Sequence, residues 1–183
     1  MRRHLLTVIL LLSTLPAMAA VPVKDVTLLG LKLRAINTNQ VRTHFWRMGG
    51  FMEPEASARQ INVDIFFPWS RNRELYRLEF HYDPNGRFQW AEARYRWQPH
   101  KAVLVHNRPT PLTTDEIARR LAEQLGEPKS VTLRQFANQR YRSYEWEDDT
   151  MQVRVDRLDG DPTQPVYVLY RLKTFNYVYE EQN

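Results

Sequence analysis

One helix-start signal occurs twice in this chain, 76 residues apart, and it constrains the fold more than any other feature. The two segments are Ile36-Asn37-Thr38-Asn39-Gln40-Val41 and Leu112-Thr113-Thr114-Asp115-Glu116-Ile117. In each, Asn37 or Thr113 caps the first turn, Gln40 or Glu116 reaches back from the third helical position, and Ile36 with Val41, or Leu112 with Ile117, closes a hydrophobic staple. Val41, Phe45 and Met48 follow at helical spacing and stop at Gly49-Gly50; Ile117, Leu121 and Leu125 follow the second start and stop at Gly126, with Pro128 just beyond. Glycine ends a helix readily because it adopts the left-handed conformation without a Cβ clash. The chain therefore reads as two copies of one small unit.

After each helix the apolar period changes from helical to alternating, the mark of strands. Ile61, Val63, Ile65 and Phe67 share one face of a strand ended by Pro68, with Gln60, Asn62, Asp64 and Phe66 on the other, the side expected to turn away from the helix. Tyr76, Leu78, Phe80 and Tyr82 alternate with Arg77, Glu79 and His81 up to Asp83-Pro84-Asn85-Gly86, a run of turn-forming residues, and a return strand covers 88–97. On that strand Ala91, Ala93, Tyr95 and Trp97 share one face and Phe88, Trp90, Glu92, Arg94 and Arg96 the other. Apolar residues on both faces predict a bulge or a two-sided strand. The second unit offers strands over 131–136, 141–147 and 151–156, then a last strand with Val166, Val168, Tyr170 and Leu172 inward and Tyr167, Leu169, Arg171 and Lys173 outward.

The expected fold class is therefore α+β: two tandem units, each one helix followed by a three- or four-stranded antiparallel sheet. The expected boundaries are a signal peptide at 1–19, a first unit at 20–98, a connector at 99–111, a second unit at 112–179 and a tail at 180–183.

Residues 1–19 begin with Arg2, Arg3 and His4, continue through an apolar run over 5–15, and finish Pro16-Ala17-Met18-Ala19. This is the three-part layout of a secretory signal cleaved after Ala19. The run is shorter than the roughly 20 residues of a membrane-spanning helix. Cleavage removes two arginines and no acid, lowering the formal charge from +5 to +3, too mild a basicity to name a partner. Arginine makes up 19 of the 24 remaining basic residues, which fits either bidentate recognition of acidic groups or a codon bias. With no cysteine in the chain, no disulfide braces it and no lipid attaches through a thiol, so stability rests on burial. A bacterial envelope, periplasmic or secreted, fits this better than an animal secretion.

The helix end Leu125-Gly126-Glu127-Pro128 followed by aromatic strands such as Tyr144-Glu145-Trp146 resembles the SmpA/OmlA family of outer-membrane-assembly proteins. The tandem arrangement is similar to the secreted β-lactamase inhibitor proteins. The resemblance implies a binding module without catalysis. Two departures stand out: SmpA/OmlA members are lipoproteins and the inhibitor proteins carry disulfides, and this chain has no cysteine for either.

Nucleophilic catalysis needs a nucleophile beside a base. Ser57, Ser70, Ser130 and Ser143 stand in no Gly-x-Ser-x-Gly or Ser-x-x-Lys context, and a pair such as Ser70 with His81 is the remaining option. His81 with Asp83, and His100 with His106, fall short of the three or four converging ligands of a zinc site. Glu145, Glu147, Asp148 and Asp149 lack calcium-loop spacing and read as a solvated hairpin tip. Glycosidase chemistry wants two carboxylates about 5–10 Å apart. Asp64 and Glu79 on adjacent strands would supply a pair, but any antiparallel sheet produces such pairs. No cofactor, metal or nucleic-acid partner is expected.

What remains is the outward face of the sheet. Phe88, Trp90, Arg94, Arg96, Tyr167 and Arg171 are the expected partner-binding residues, because interface centres are enriched in tryptophan, tyrosine and arginine. The competing placements bury these aromatics between sheets packed face to face, or set Trp90 over the second helix. The sequence thus reads as an exported, non-enzymatic protein-binding module of the bacterial cell envelope. One alternative is an enzyme inhibitor inserting the loop Ser70-Arg71-Asn72-Arg73; another is a small-ligand carrier or hydrolase with Trp46, Trp69 and Trp97 lining a cavity.

Overall fold

A computed structural model describes residues 20–49, 51–54, 62–68, 72–98 and 110–173. The expected signal peptide, most of the expected connector and the expected tail lie outside the described residues. In chain order the elements are β1 (Thr27–Leu28), β2 (Leu31–Lys32), α1 (Thr38–Met48), β3 (Phe51–Pro54), β4 (Val63–Phe67), β5 (Leu75–Tyr82), β6 (Phe88–Tyr95), β7 (Trp97–Gln98), β8 (Thr110–Pro111), α2 (Thr114–Leu125), β9 (Ser130–Phe136), β10 (Gln139–Glu147), β11 (Met151–Arg157) and β12 (Val166–Leu172).

Both helix starts form through reciprocal bonds. Gln40 N donates to Asn37 Oδ1 at 3.1 Å while Asn37 N donates to Gln40 Oε1 at 3.0 Å. At α2, Glu116 N donates to Thr113 Oγ1 at 3.2 Å and Thr113 N to Glu116 Oε2 at 3.1 Å. Each box satisfies donors that a helix end leaves unpaired. Gly49 closes α1 at φ 80°. The β5–β6 turn docks on the start of α1: Thr38 N and Thr38 Oγ1 both donate to Gly86 O, at 2.9 and 3.1 Å. Gly86 sits at φ +73°, and a Cβ there would lie 2.9 Å from Thr38 Oγ1, so both backbone conformation and space require glycine. Changing Thr113 to alanine is expected to cost about 1 kcal/mol in urea denaturation, with Thr113→Ser close to neutral, since only the hydroxyl caps.

The expectation of two units with a small sheet each is overturned. Eight strands form one antiparallel sheet in the order β3-β4-β5-β6-β12-β11-β10-β9, and β7 pairs with β8 separately. The join is β6 to β12, antiparallel from Val166 opposite Tyr95 to Arg171 opposite Trp90. Separate units would leave the last strand of each half as an edge, with a row of unsatisfied N–H and C=O groups; pairing them with each other removes both edges. Nothing local in either strand encodes that long-range choice.

One hydrophobic core follows from one sheet. Phe45 of α1 meets Phe66 and Phe80, with Val41 beside it in the core, while α2, with Ile117, Ala118 and Leu125 buried, lies over β10 and β11, which contribute Trp146, Val153 and Val155, all in a single cluster. Both helices lie on the same side, because Phe80, Ala91, Tyr170, Val153 and Trp146 are successive register partners across the sheet. Ala91 sits between Phe80 and Tyr170, where a small side chain leaves room for two rings. The β4 strand faces opposite to its expected orientation: Asp64 and Phe66 point toward the helices, and Asp64, fully buried, takes a bidentate pair from Arg42 at 2.8 Å for each bond. That ion pair is what lets a carboxylate occupy the core side.

Candidate functional site

Alternation puts the other half of the strand residues on the face that carries no helix among the described residues. Opposed across it are His81, Trp90 and Arg171 in one row, Glu79, Glu92, Leu169 and Arg154 in the next, and Arg77, Arg94, Tyr167 and Asp156 in the third. Glu79 lies opposite Glu92, and Arg77 opposite Arg94. Directly opposed like charges destabilise a sheet. Here they are compensated along the strands, because residues two apart share a face. Arg77 pairs with Glu79 at 2.8 Å, Arg94 with Glu92, and Arg154 with Asp156.

Trp90 stacks on the His81 ring, with centroids 3.5 Å apart and planes 13° from parallel. His81 Nε2 lies 2.7 Å from Glu79 Oε1; a carboxylate only accepts, so this nitrogen carries the proton. Burial raises the Glu79 pKa, but the His81 bond and the charges of Arg77 and Arg94 outweigh it and hold the carboxyl below its ordinary range. Arg171 donates from Nη2 to Gln152 Oε1 at 2.6 Å, and its buried Nε has no hydrogen-bond partner among the described residues.

Beside these rows a depression of about 430 Å³ opens, lined by Glu92, Arg134, Tyr141, Arg154, Asp156 and Tyr167 among others. Asp156 organises it. Its Oδ1 accepts from Tyr141 Oη at 2.7 Å and from Arg157 N at 2.8 Å; its Oδ2 accepts from Ser143 Oγ and Arg154 Nε, both at 3.0 Å. Burial pushes its pKa up, yet the Arg154, Tyr141 and Arg157 donors together hold it below the usual carboxylate value. Burial and the bond to Asp156 push Tyr141 up. Glu79 and Asp156 with both oxygens bound to donors, and Glu92 through Oε1, act as anchors that fix guanidinium groups, whose remaining N–H groups and flat faces suit carboxylates and apolar surface.

Of the expected partner-binding residues, Trp90, Arg94, Tyr167 and Arg171 share this face. Phe88 does not: it is 2 % exposed and packs against Phe80 in the core. The cause is the expected bulge, since Tyr82 pairs with Phe88 and His81 with Trp90, leaving Gln89 as the extra residue that turns Phe88 inward. Arg96 lies just beyond the end of β6, its guanidinium 4.7 Å from the centroid of the Tyr76 ring. Asp64 and Glu79 fall on opposite faces, so they form no glycosidase pair. Trp46 is 74 % exposed on α1, where it borders a surface depression of about 270 Å³ with Arg42 and Phe66; Trp69 lies outside the described residues, as do Ser57, Ser70, Arg71, His100 and His106. Compared with known families, curated proteins and solved structures, the chain matches none.

The sequence reading missed Asp156, Tyr141 and Arg154. Their signal is Arg154-x-Asp156, the same spacing as Arg77-x-Glu79 and Glu92-x-Arg94: opposite charges two apart in a strand mark one face carrying built-in ion pairs. Asp148 is a turn residue, its Oδ1 accepting from Thr150 N and Met151 N at 2.8 Å each. Glu147 is held by Lys129 and Lys173, and their hydrogen bonds bring its pKa down to about 2.

Proposed function

We propose that this protein is an exported, non-catalytic protein-binding module of the bacterial cell envelope, and that the helix-free face of its sheet receives the partner. The observation that carries the reading is the row of His81, Trp90 and Arg171 beside Tyr167, Arg94 and the depression at Asp156. Aromatic and guanidinium groups held in place by stacking and ion pairs lose little freedom on association, which is where interface energy is usually concentrated. The amino-terminal arrangement of basic, apolar and Ala-x-Ala segments supports export. No helix among the described residues is long and apolar enough to cross a membrane.

The test compares the mature protein with a Trp90→Ala, Arg171→Ala double variant and with Arg119→Ala, an exposed change on α2. Affinity for a protein captured from envelope extract is expected to fall at least about tenfold for the double variant and to stay unchanged for Arg119→Ala. Equal capture by all three overturns the assignment to this face. Mass spectrometry of protein exported by a bacterial host is expected to find Ala20 at the amino terminus; retention of residues 1–19 overturns the export reading.

A further inference from the structure

The far edge of the sheet carries a second and separate opportunity. Strand β9 ends the sheet order and pairs only with β10 among the described residues, so one of its sides presents unsatisfied backbone N–H and C=O groups. Every residue from 130 to 140 is exposed. Of the large apolar side chains most open to solvent, three sit on this one strand: Val131 at 51 %, Leu133 at 63 % and Phe136 at 52 %. Helix α2 covers β10 and β11 and leaves β9 bare. Proteins ordinarily blunt such an edge with proline, a bulge or an inward-pointing charge. β9 contains no proline, and its register with β10 runs unbroken from Ser130 opposite Glu145 to Phe136 opposite Gln139.

Charge identifies the occupant. Residues 129–142 hold Lys129, Arg134, Arg140 and Arg142 and no acidic residue. Arg142 has Asp115 at 3.4 Å and Lys129 has Glu147, but Arg134 comes no nearer than 3.8 Å to Asp156, and Arg140 has no ion-pair partner among the described residues. On the helix side, Leu133 and Arg140 border a depression of about 440 Å³; on the other, Arg134 and Phe136 border the depression at Asp156. A second copy of this chain would bring two sets of these arginines together and be repelled. We infer that β9 receives an extended segment of a partner protein as a ninth strand, with apolar side chains on the helix side beside Val131 and Leu133 and acidic ones on the other side beside Arg134. Backbone bonds would supply affinity and the alternating side chains specificity. This inference stands without the reading of the open face.

Two synthetic peptides test it, each eight residues with blocked ends: one alternating valine with glutamate, the other valine with lysine. Added to the full mature chain, the glutamate peptide is expected to slow amide hydrogen exchange in β9 and to bind about tenfold more tightly than the lysine peptide. The preference is expected to shrink at high salt and to reverse in an Arg134→Glu, Arg140→Glu variant. The wild-type comparison stands even if that variant fails to fold. Equal binding of both peptides, unchanged β9 exchange, or protection of β9 by concentration-dependent self-association would each overturn the inference, the last by making a second copy the occupant. Unchanged binding in the Trp90→Ala, Arg171→Ala variant separates this edge from the open face.

Discussion

Truncating Phe45 to alanine is expected to remove about 3–5 kcal/mol of stability, a large share of the roughly 5–15 kcal/mol that holds a typical domain together. Phe45 is fully buried, its ring 4.9 Å from that of Phe66 and 5.3 Å from that of Phe80, and those rings touch each other and Phe88 in turn. Removing it opens a cavity among rigid aromatic rings, which cannot collapse into the space, so the cost is expected at the upper end for such changes. The variant also distinguishes one core from two. Because β6 and β12 join the halves, amide hydrogen exchange in β10 and β11, at the far side of the sheet, is expected to accelerate together with that around α1. Acceleration confined to residues 38–95 would mean that each half unfolds on its own.

The local grammar of this chain was legible in its sequence. Capping residues act within four positions of one another, so Asn37, Gln40, Thr113 and Glu116 could be read directly, and the forward turn at Asp83-Pro84-Asn85-Gly86 with them. The inward faces of β5 and β12 followed from alternation, as Phe80, Val168 and Tyr170 show. What was not legible was anything decided across long separations. The partner of β6 is a strand some 70 residues later, and only the cost of an unpaired edge selects it. Phe88 was misplaced because a single extra residue reverses every side chain beyond it. Asp64 was placed on the wrong side because alternation gives two equivalent faces, and only the buried partner Arg42, contributed by α1, decides which of them a carboxylate can occupy. The open-face residues were found by their type, whereas the ion pairs that hold them were overlooked, since the reading weighed aromatic and cationic residues without asking which acids lay two positions away.

Replacing Asp156 by asparagine is expected to destabilise the fold by about 2–4 kcal/mol at neutral pH, although the two side chains have the same shape. The carboxylate accepts from Tyr141, Ser143, Arg154 and the Arg157 backbone, using both oxygens. An amide keeps one acceptor and turns two donors toward groups that can themselves only donate or must reorient, and it leaves the half-buried Arg154 without its counter-ion. The pH dependence separates this loss of charge from a simple packing defect. The folded-state pKa of Asp156 is depressed, so its stabilisation is fully present above the unfolded value near 4 and is lost as pH falls through the lower folded value. Glu79 is depressed as well and adds an acid-labile contribution of the same sign in both proteins. Urea midpoints are therefore expected to differ by a constant amount from pH 5 to 8 and to converge below about pH 4, where the wild type gives up what the variant never had. A difference that persists unchanged at pH 3 would show that the loss comes from the misplaced N–H donors of the amide and not from the missing charge, and Arg154 would then need another explanation for its fixed position at the rim of the depression.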